Sequence, residues 1–127
     1  MRAIYTVILA VFSLSVSAQS VIGKWKTIDD ETGKPKSVVE IYKNGSSYEG
    51  KIVKLFTMEG ENPNPICDKC DSDDSRYKKK VLGMVIIKDM EMDDGELDDG
   101  AILDPKKGEV YDCKIWIGDD GKLNVRV

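Results

Sequence analysis

The stretch from Asp99 to Ile117, with the sequence DGAILDPKKGEVYDCKIWI, constrains the fold more than any other part of the chain. Its centre is a four-residue turn, DPKK, closed by Gly108. Proline presets φ for the second position of a turn, and glycine accepts the positive φ that other residues resist. From Val110 onward, successive side chains fall on opposite faces, and the face expected to be buried carries Tyr111, Cys113, Ile115 and Ile117. The pattern predicts a β-hairpin with one buried face.

The rest of the chain offers partners for this hairpin, because no segment has a convincing helical period. The further predicted strands are Gly23 to Thr27, Ser37 to Lys43, Ser47 to Phe56, Val81 to Lys88 and Lys122 to Val127. The dipeptide Asn44-Gly45 suits a tight hairpin between the second and third of these strands. Short connections favour an all-β antiparallel meander that curls into a small barrel, with a sandwich of crossed connections as the alternative.

Alternation also assigns faces to these strands. Trp25 and Thr27 should share one face, as should Val39 and Ile41. In the third strand the face of Gly50 carries Tyr48, Gly50, Ile52, Lys54 and Phe56. Glycine inside a strand often marks a bend, so we expect one at Gly50, and a bulge there would change which face is interior.

Residues 1–18 have the pattern of a secretory signal peptide. A short basic start is followed by the apolar run Ala3 to Val16 and by Val16-Ser17-Ala18, an A-x-A-like cleavage site. The run is too short to span a bilayer. We therefore expect a secreted or periplasmic product, residues 19–127, that forms a single domain and has no transmembrane segment.

Composition argues against several classes of function. The formal charge is −4, from 19 Lys and Arg against 23 Asp and Glu, and removal of Arg2 makes it −5. This acidic balance disfavours nucleic acid, whose binding depends on lysine and arginine contacts to phosphate. The chain has no histidine, which excludes Ser-His and Cys-His nucleophiles. We expect neither an enzyme nor a bound cofactor.

A long polar segment from Met58 to Lys80 holds Cys67 and Cys70. Three explanations compete for this pair: a local disulfide, a redox-active pair, or a zinc site completed by Cys113 and by Asp68 or Asp71. An oxidising compartment favours the disulfide. Cys113 would then be left as a buried thiol that behaves as a small hydrophobe.

Seven carboxylates lie between Asp89 and Asp99. Calcium prefers oxygen ligands of this kind, yet the spacing does not match a twelve-residue calcium loop. We interpret this stretch as a solvated acidic turn, with metal binding as the alternative.

The pattern D-G-x-I-x-D-P-x-x-G-x-x-Y-x-C-x-I from Asp99 to Ile115 resembles DUF2147, a set of exported bacterial proteins of unknown function. Gly23-Lys24-Trp25 and Cys67-Asp-Lys-Cys70 extend the resemblance over nearly the whole predicted mature chain. The G-x-W opening is also similar to that of lipocalin-type barrels, in which the Trp plugs one end. The resemblance implies a lipocalin-like barrel, but members continue past the last strand into another hairpin, so closure of the sheet is left open.

Two functions are compatible with these observations. The first is a barrel that binds a small apolar or amphipathic ligand through Trp25, Tyr111, Cys113 and Ile115. The alternative is a non-catalytic envelope scaffold or interaction module. Its contact surface would be the Cys67–Cys70 loop, and its free edge at Leu123 to Val127 would accept a strand from a partner protein.

Overall fold

The computed structural model describes residues 20–29 and 31–127, so the predicted signal peptide lies outside the described residues. These residues contain seven β-strands. The strands are β1 (Gly23–Ile28), β2 (Pro35–Asn44), β3 (Ser47–Leu55), β4 (Val85–Asp93), β5 (Glu96–Asp104), β6 (Glu109–Ile117) and β7 (Leu123–Arg126).

Each strand pairs antiparallel with the next, which gives one sheet in the order β1 to β7. The sheet curls into a nearly closed barrel, with β1 and β7 as its two edges. The predicted all-β antiparallel meander is therefore confirmed.

The hairpin of β5 and β6 forms where it was predicted. The Gly108 amide donates a hydrogen bond to the Asp104 carbonyl oxygen at 2.7 Å, and Gly108 has a φ of 72°. The Asp104 carboxylate accepts hydrogen bonds from the amides of Lys106 and Lys107 at 3.0 and 3.3 Å. The aspartate thus satisfies backbone donors inside the turn that proline and glycine shape.

The interpretation of Asp89 to Asp99 as an acidic turn is wrong. This stretch is the end of β4, a two-residue turn at Asp94-Gly95, and the start of β5. Both turn residues have positive φ, 54° and 84°, as the common two-residue hairpin requires. The Asp-Gly pair was the signal for this hairpin, and the buried Met90 and Leu97 show that the flanking residues face a core.

The predicted strand from Val81 to Lys88 begins four residues too early. Val81 and Met84 are buried, but they belong to a turn whose amides bond elsewhere. The Val81 amide donates to the Pro65 carbonyl oxygen at 3.0 Å, and the Gly83 amide donates to that of Ile52 at 2.7 Å. An apolar run in the sequence predicts that the segment is buried, but it does not predict which backbone groups form its hydrogen bonds.

The single face predicted for the third strand is also wrong, because β3 contains a bulge. Val39 pairs with Ile52 whereas Val38 pairs with Lys54, so Val53 is an extra residue. Beyond it Leu55 packs against the core and Lys54 is exposed. The β2–β3 turn is likewise shifted by one residue from the prediction, to Gly45-Ser46, and Gly45 has a φ of 66°.

The β4–β5 region has buried side chains on both faces of the sheet. Ile87 and Gly50 face the barrel interior, since a Cβ placed on Gly50 would lie 2.8 Å from the Ile87 side chain. Leu103 follows the inward-facing Ile102 and lies on the opposite face by strand alternation, yet it is only 2% exposed. We assign its cover to the segment between β3 and β4, residues 56–84, which we call the outer segment.

Three contacts hold the outer segment against β4 and the β5–β6 turn. The Arg76 guanidinium donates to the Val85 carbonyl oxygen at 2.9 Å. The Cys67 sulfur lies 3.5 Å from the Pro105 carbonyl oxygen. A Cβ on Gly108 would overlap the backbone of Lys69, so only glycine fits at this position without displacing the segment.

Candidate ligand-binding site

The inner face of β6 becomes steadily more buried along the strand. Tyr111 is partly exposed, Cys113 is 7% exposed, and Ile115 is fully buried. Ile115 pairs with Leu97, which is also fully buried. Three of the four predicted site residues therefore form one wall that runs from a solvent-accessible rim into the core.

The rim is accessible because the neighbouring strand is short. β7 pairs with β6 only from Lys114 to Ile117, so it does not cover the other end of β6. At that end Tyr111 pairs with Ile102, and both inward-facing side chains are partly exposed. An apolar side chain that faces inward but remains in contact with water is the feature expected at the mouth of a barrel.

Polar hydroxyls lie at the same end of the sheet. Thr27 Oγ1 and Ser37 Oγ are 2.7 Å apart, and Ser37 is 7% exposed. The Tyr111 hydroxyl donates to Glu109 Oε1 at 2.8 Å. The hydrogen bond to the Glu109 carboxylate raises the pKa of the Tyr111 hydroxyl. The rim thus combines apolar surface with hydroxyl groups.

Trp25 lies on the inner face of β1, at the opposite edge of the sheet from β7. It pairs with Val39 and packs against the core. Its indole Nε1 donates to the Val21 carbonyl oxygen at 2.8 Å, and Val21 is 1% exposed. This bond fixes the ring while leaving part of it accessible, as suits a buried tryptophan that needs a partner for its N–H group.

Met90 and Gly100 complete the wall around Cys113, and sequence reasoning missed both. Gly100 pairs with Cys113, and a Cβ on Gly100 would overlap the Met90 sulfur. Met90 Sδ therefore lies across the glycine, 3.7 Å from Cys113 Sγ. The Asp99-Gly100 pair in the hairpin motif was the available signal, since glycine inside a strand often marks a close approach.

Burial governs the chemistry of Cys113. Desolvation raises the pKa of its thiol to about 11, with smaller contributions from the carboxylates of Asp112 and Asp98. The thiolate is the nucleophilic form of cysteine, and little of it exists at neutral pH when the pKa is this high. Cys113 serves this wall as a small apolar side chain.

The predicted disulfide between Cys67 and Cys70 is confirmed, with the two Cα atoms 5.4 Å apart. Both cysteines are buried, at 0% and 5% exposure, where the outer segment meets the β5–β6 turn. Because the bond occupies both sulfurs, the pair does not supply thiolate ligands for a zinc site with Cys113, which is a free thiol.

Two surveys of residues 20–29 and 31–127 add to this picture. They contain no group of three or more Cys, Asp or Glu side chains arranged to hold a metal ion. They contain no helix long and apolar enough to cross a membrane.

Comparison with known proteins identifies relatives of this fold. Protein HP1028 from the human pathogen Helicobacter pylori, described as belonging to the lipocalin family, has a similar structure with a TM-score of 0.68. The match covers 85% of this chain and 71% of that protein at 14% sequence identity, so the likeness is one of fold. A search of curated proteins found no match to this chain.

The family comparison covers most of the sequence. Residues 23–127 match the model of DUF2147, described as an uncharacterized protein conserved in bacteria. This range includes all seven strands and the outer segment. The chain therefore belongs to the DUF2147 family and has a lipocalin-like barrel fold.

Proposed function

We propose that this protein is an exported barrel that binds a small apolar or amphipathic ligand at its rim. The observation that carries the proposal is the inner wall of β6, where Tyr111 is in contact with water and Ile115 is fully buried. An apolar ligand that covered Ile102 and Tyr111 would remove apolar surface from water, which is favourable by about 25 cal/mol per Å². The hydroxyls of Thr27 and Tyr111 would receive the polar end of an amphipathic ligand.

The four predicted contacts have different roles in this proposal. Tyr111 forms the accessible edge, and Trp25 presents a fixed aromatic ring from β1. Cys113 and Ile115 form the deeper wall, where the buried Met90 Sδ lies 3.7 Å from Cys113 Sγ. Methionine is unbranched and flexible, so its side chain can adapt to a ligand more readily than a branched one.

The test is to titrate the purified protein with 1-decanol, a neutral amphipathic probe, and to measure binding by isothermal titration calorimetry. We expect saturable binding, and we expect Tyr111→Ala to weaken it about tenfold, because truncation removes roughly 1.5 kcal/mol of apolar contact. Val110→Ala is the matched control, since Val110 is the adjacent β6 residue on the outer face and is 52% exposed. Absence of saturable binding, or an equal loss in both variants, would reject the proposal.

We further propose that the protein reaches an oxidising compartment after removal of residues 1–18. Membership of a bacterial family and the Cys67–Cys70 disulfide support this address. Cell fractionation followed by N-terminal sequencing should recover a chain that begins at Gln19 outside the cytoplasm. A full-length chain in the cytoplasmic fraction would contradict it.

The second candidate function is an envelope interaction module, favoured by the free edge of β7. Val125 and Val127 are 44% and 72% exposed, and an unpaired strand edge presents backbone groups to another chain. Cross-linking in cells should then capture a partner at β7. Val125→Pro, which removes a backbone donor from this strand, should abolish capture while decanol binding persists.

A further inference from the structure

The outer segment and β4 form an open pocket of about 390 Å³ on the outside of the barrel. Lys88 shows that the pocket lies on the outer face of the sheet. It follows the inward-facing Ile87 in β4, so its side chain points outward. The remaining wall comes from residues 75–84 of the outer segment and from Val85. The pocket is therefore separate from the rim at Tyr111.

The frame of this pocket is fixed by Asp74 and Arg76. The Asp74 carboxylate accepts hydrogen bonds from Arg76 Nε and Nη2 at 2.9 and 2.8 Å, and Arg76 Nη1 donates to the Val85 carbonyl oxygen. The hydrogen bonds from Arg76 lower the pKa of Asp74 to about 2, so the pair stays charged at neutral pH. A bidentate pair of this kind restrains the segment relative to β4.

Positive charge dominates the lining. Four cationic side chains line the pocket, and its lining contains no acidic residue. They are Arg76, Lys79, Lys80 and Lys88. Asp74 neutralises Arg76, but within the described residues none of the three lysines takes part in an ion pair. The chain as a whole has a net charge of −4, so this group of lysines is a positively charged patch on an acidic protein.

Apolar groups lie beside these lysines. Leu82 is 49% exposed and Met84 is 6% exposed, and both line the pocket. A single exposed leucine is ordinary on a protein surface. Combined with three unpaired lysines in one concave site, it gives the polarity of an amphipathic anion, with a charged head and an apolar chain.

We propose that this outer pocket binds an amphipathic anion, whose phosphate or carboxylate head is held by Lys79, Lys80 and Lys88 and whose chain lies on Leu82 and Met84. The head would form ion pairs with the three lysines, and the chain would remove Leu82 from water. The inference does not depend on ligand binding at the barrel rim, because the two sites share no residue.

Isothermal titration calorimetry with monomeric decyl phosphate tests the proposal. The wild-type protein should bind it saturably, and K79Q/K80Q/K88Q should weaken binding about tenfold, since it removes three exposed charge contacts to the head. L82Q should also weaken binding of decyl phosphate, and inorganic phosphate should bind more weakly than decyl phosphate. The affinity should fall as salt concentration rises.

The matched control is K24Q/K36Q/K122Q, which removes the same charge from exposed lysines outside the pocket. An equal loss of affinity in the two triple variants would overturn the proposal, because it would reduce the effect to net charge. Retention of decyl phosphate binding by K79Q/K80Q/K88Q would overturn it as well. Circular dichroism of each variant checks that the fold is intact.

Two further measurements separate the sources of the anion and the two sites. Co-sedimentation with anionic phosphatidylglycerol vesicles that also depends on Lys79, Lys80 and Lys88 would assign the head to a membrane lipid, whereas binding of decyl phosphate alone would assign it to a free amphiphile. Vesicle binding without decyl phosphate binding would contradict a pocket. Decanol binding should be unchanged in K79Q/K80Q/K88Q and weakened in Tyr111→Ala. This result would show that the rim and the outer pocket bind their ligands independently.

Discussion

The outer face of the sheet is exposed to solvent on β1 and is buried at Leu103 of β5, next to the outer segment. On β1, Lys24 and Lys26 point outward and are exposed, and Lys26 and Lys54 lie over the Phe56 ring at 5.8 and 4.9 Å. On β5 the outer position of Leu103 is buried. A strand with one covered face alternates in sequence, whereas a strand with two covered faces reads as a continuous apolar run.

The two regions also differ in how much their outer faces contribute to the stability of the fold. On the outer face of β1 to β3, exposed charges and cation–π contacts contribute little, because they remain solvated. On the outer face of β5, the buried side chain of Leu103 contributes through the area it removes from water. The outer segment should therefore be an integral part of the folded domain.

Leu103→Ala should produce the largest effect. Truncation of a buried leucine costs about 2–5 kcal/mol, from lost transfer free energy and a residual cavity. Val110 is the register partner of Leu103 on the same face and is 52% exposed, so Val110→Ala should change the free energy of unfolding by about 0.5 kcal/mol or less. Urea denaturation measures both, and similar values would remove the distinction between the two regions.

Gly108→Ala should follow, at about 2–4 kcal/mol. The substitution imposes left-handed strain of about 1–2 kcal/mol and also forces the added methyl group into the Lys69 backbone. Gly33→Ala isolates the strain, because Gly33 has nearly the same φ, 71°, with no atom within 4 Å of the added Cβ. If thermal unfolding gave equal costs for the two variants, the outer segment would not press on the β5–β6 turn.

Loss of the disulfide should cost about 2 kcal/mol, the value that loop-closure entropy predicts for a ring of this size. The double variant Cys67→Ser/Cys70→Ser and the reduced wild-type protein should therefore show similar losses in urea denaturation. Reductant should have no further effect on the variant, because Cys113 is unpaired. A wild-type protein insensitive to reductant would show that the ring does not stabilise the outer segment.

Acid should weaken the attachment of the outer segment through Asp74. The pKa of Asp74 is lowered to about 2 in the folded protein, mainly by its hydrogen bonds from Arg76. A lowered pKa gives stability that is complete above the unfolded pKa of about 3.9 and is lost as pH falls towards 2, about 1–2 kcal/mol in all. Asp74→Asn should remove this part of the pH dependence of unfolding between pH 5 and pH 2.

Asp73→Asn is the control for that measurement, since Asp73 is an exposed neighbour outside the ion pair. The control should retain the wild-type pH profile. The same profile in Asp74→Asn would mean that the bond from Arg76 to Val85 holds the segment without the carboxylate.

The amino-acid sequence by itself determined the strand class, the β5–β6 hairpin and the disulfide. Each depends on residues close together in the chain: alternation in β6, proline and glycine around Asp104 to Gly108, and two cysteines three residues apart. Local chemistry sets these features because the interacting groups are neighbours before folding begins. The wall from Tyr111 to Ile115 was visible for the same reason.

Only the tertiary structure decided which faces are interior beyond the bulge at Val53 and which apolar residues lie under the outer segment. Alternation changes phase at an extra residue, and the sequence carries no mark of one at Val53. Gly50, by contrast, was a visible signal, and the β3–β4 register shifts on both sides of it. The approach of Lys69 to Gly108 and of Met90 to Gly100 joins distant parts of the chain. Such contacts follow from how the sheet curls and where the outer segment packs, and these depend on the whole fold.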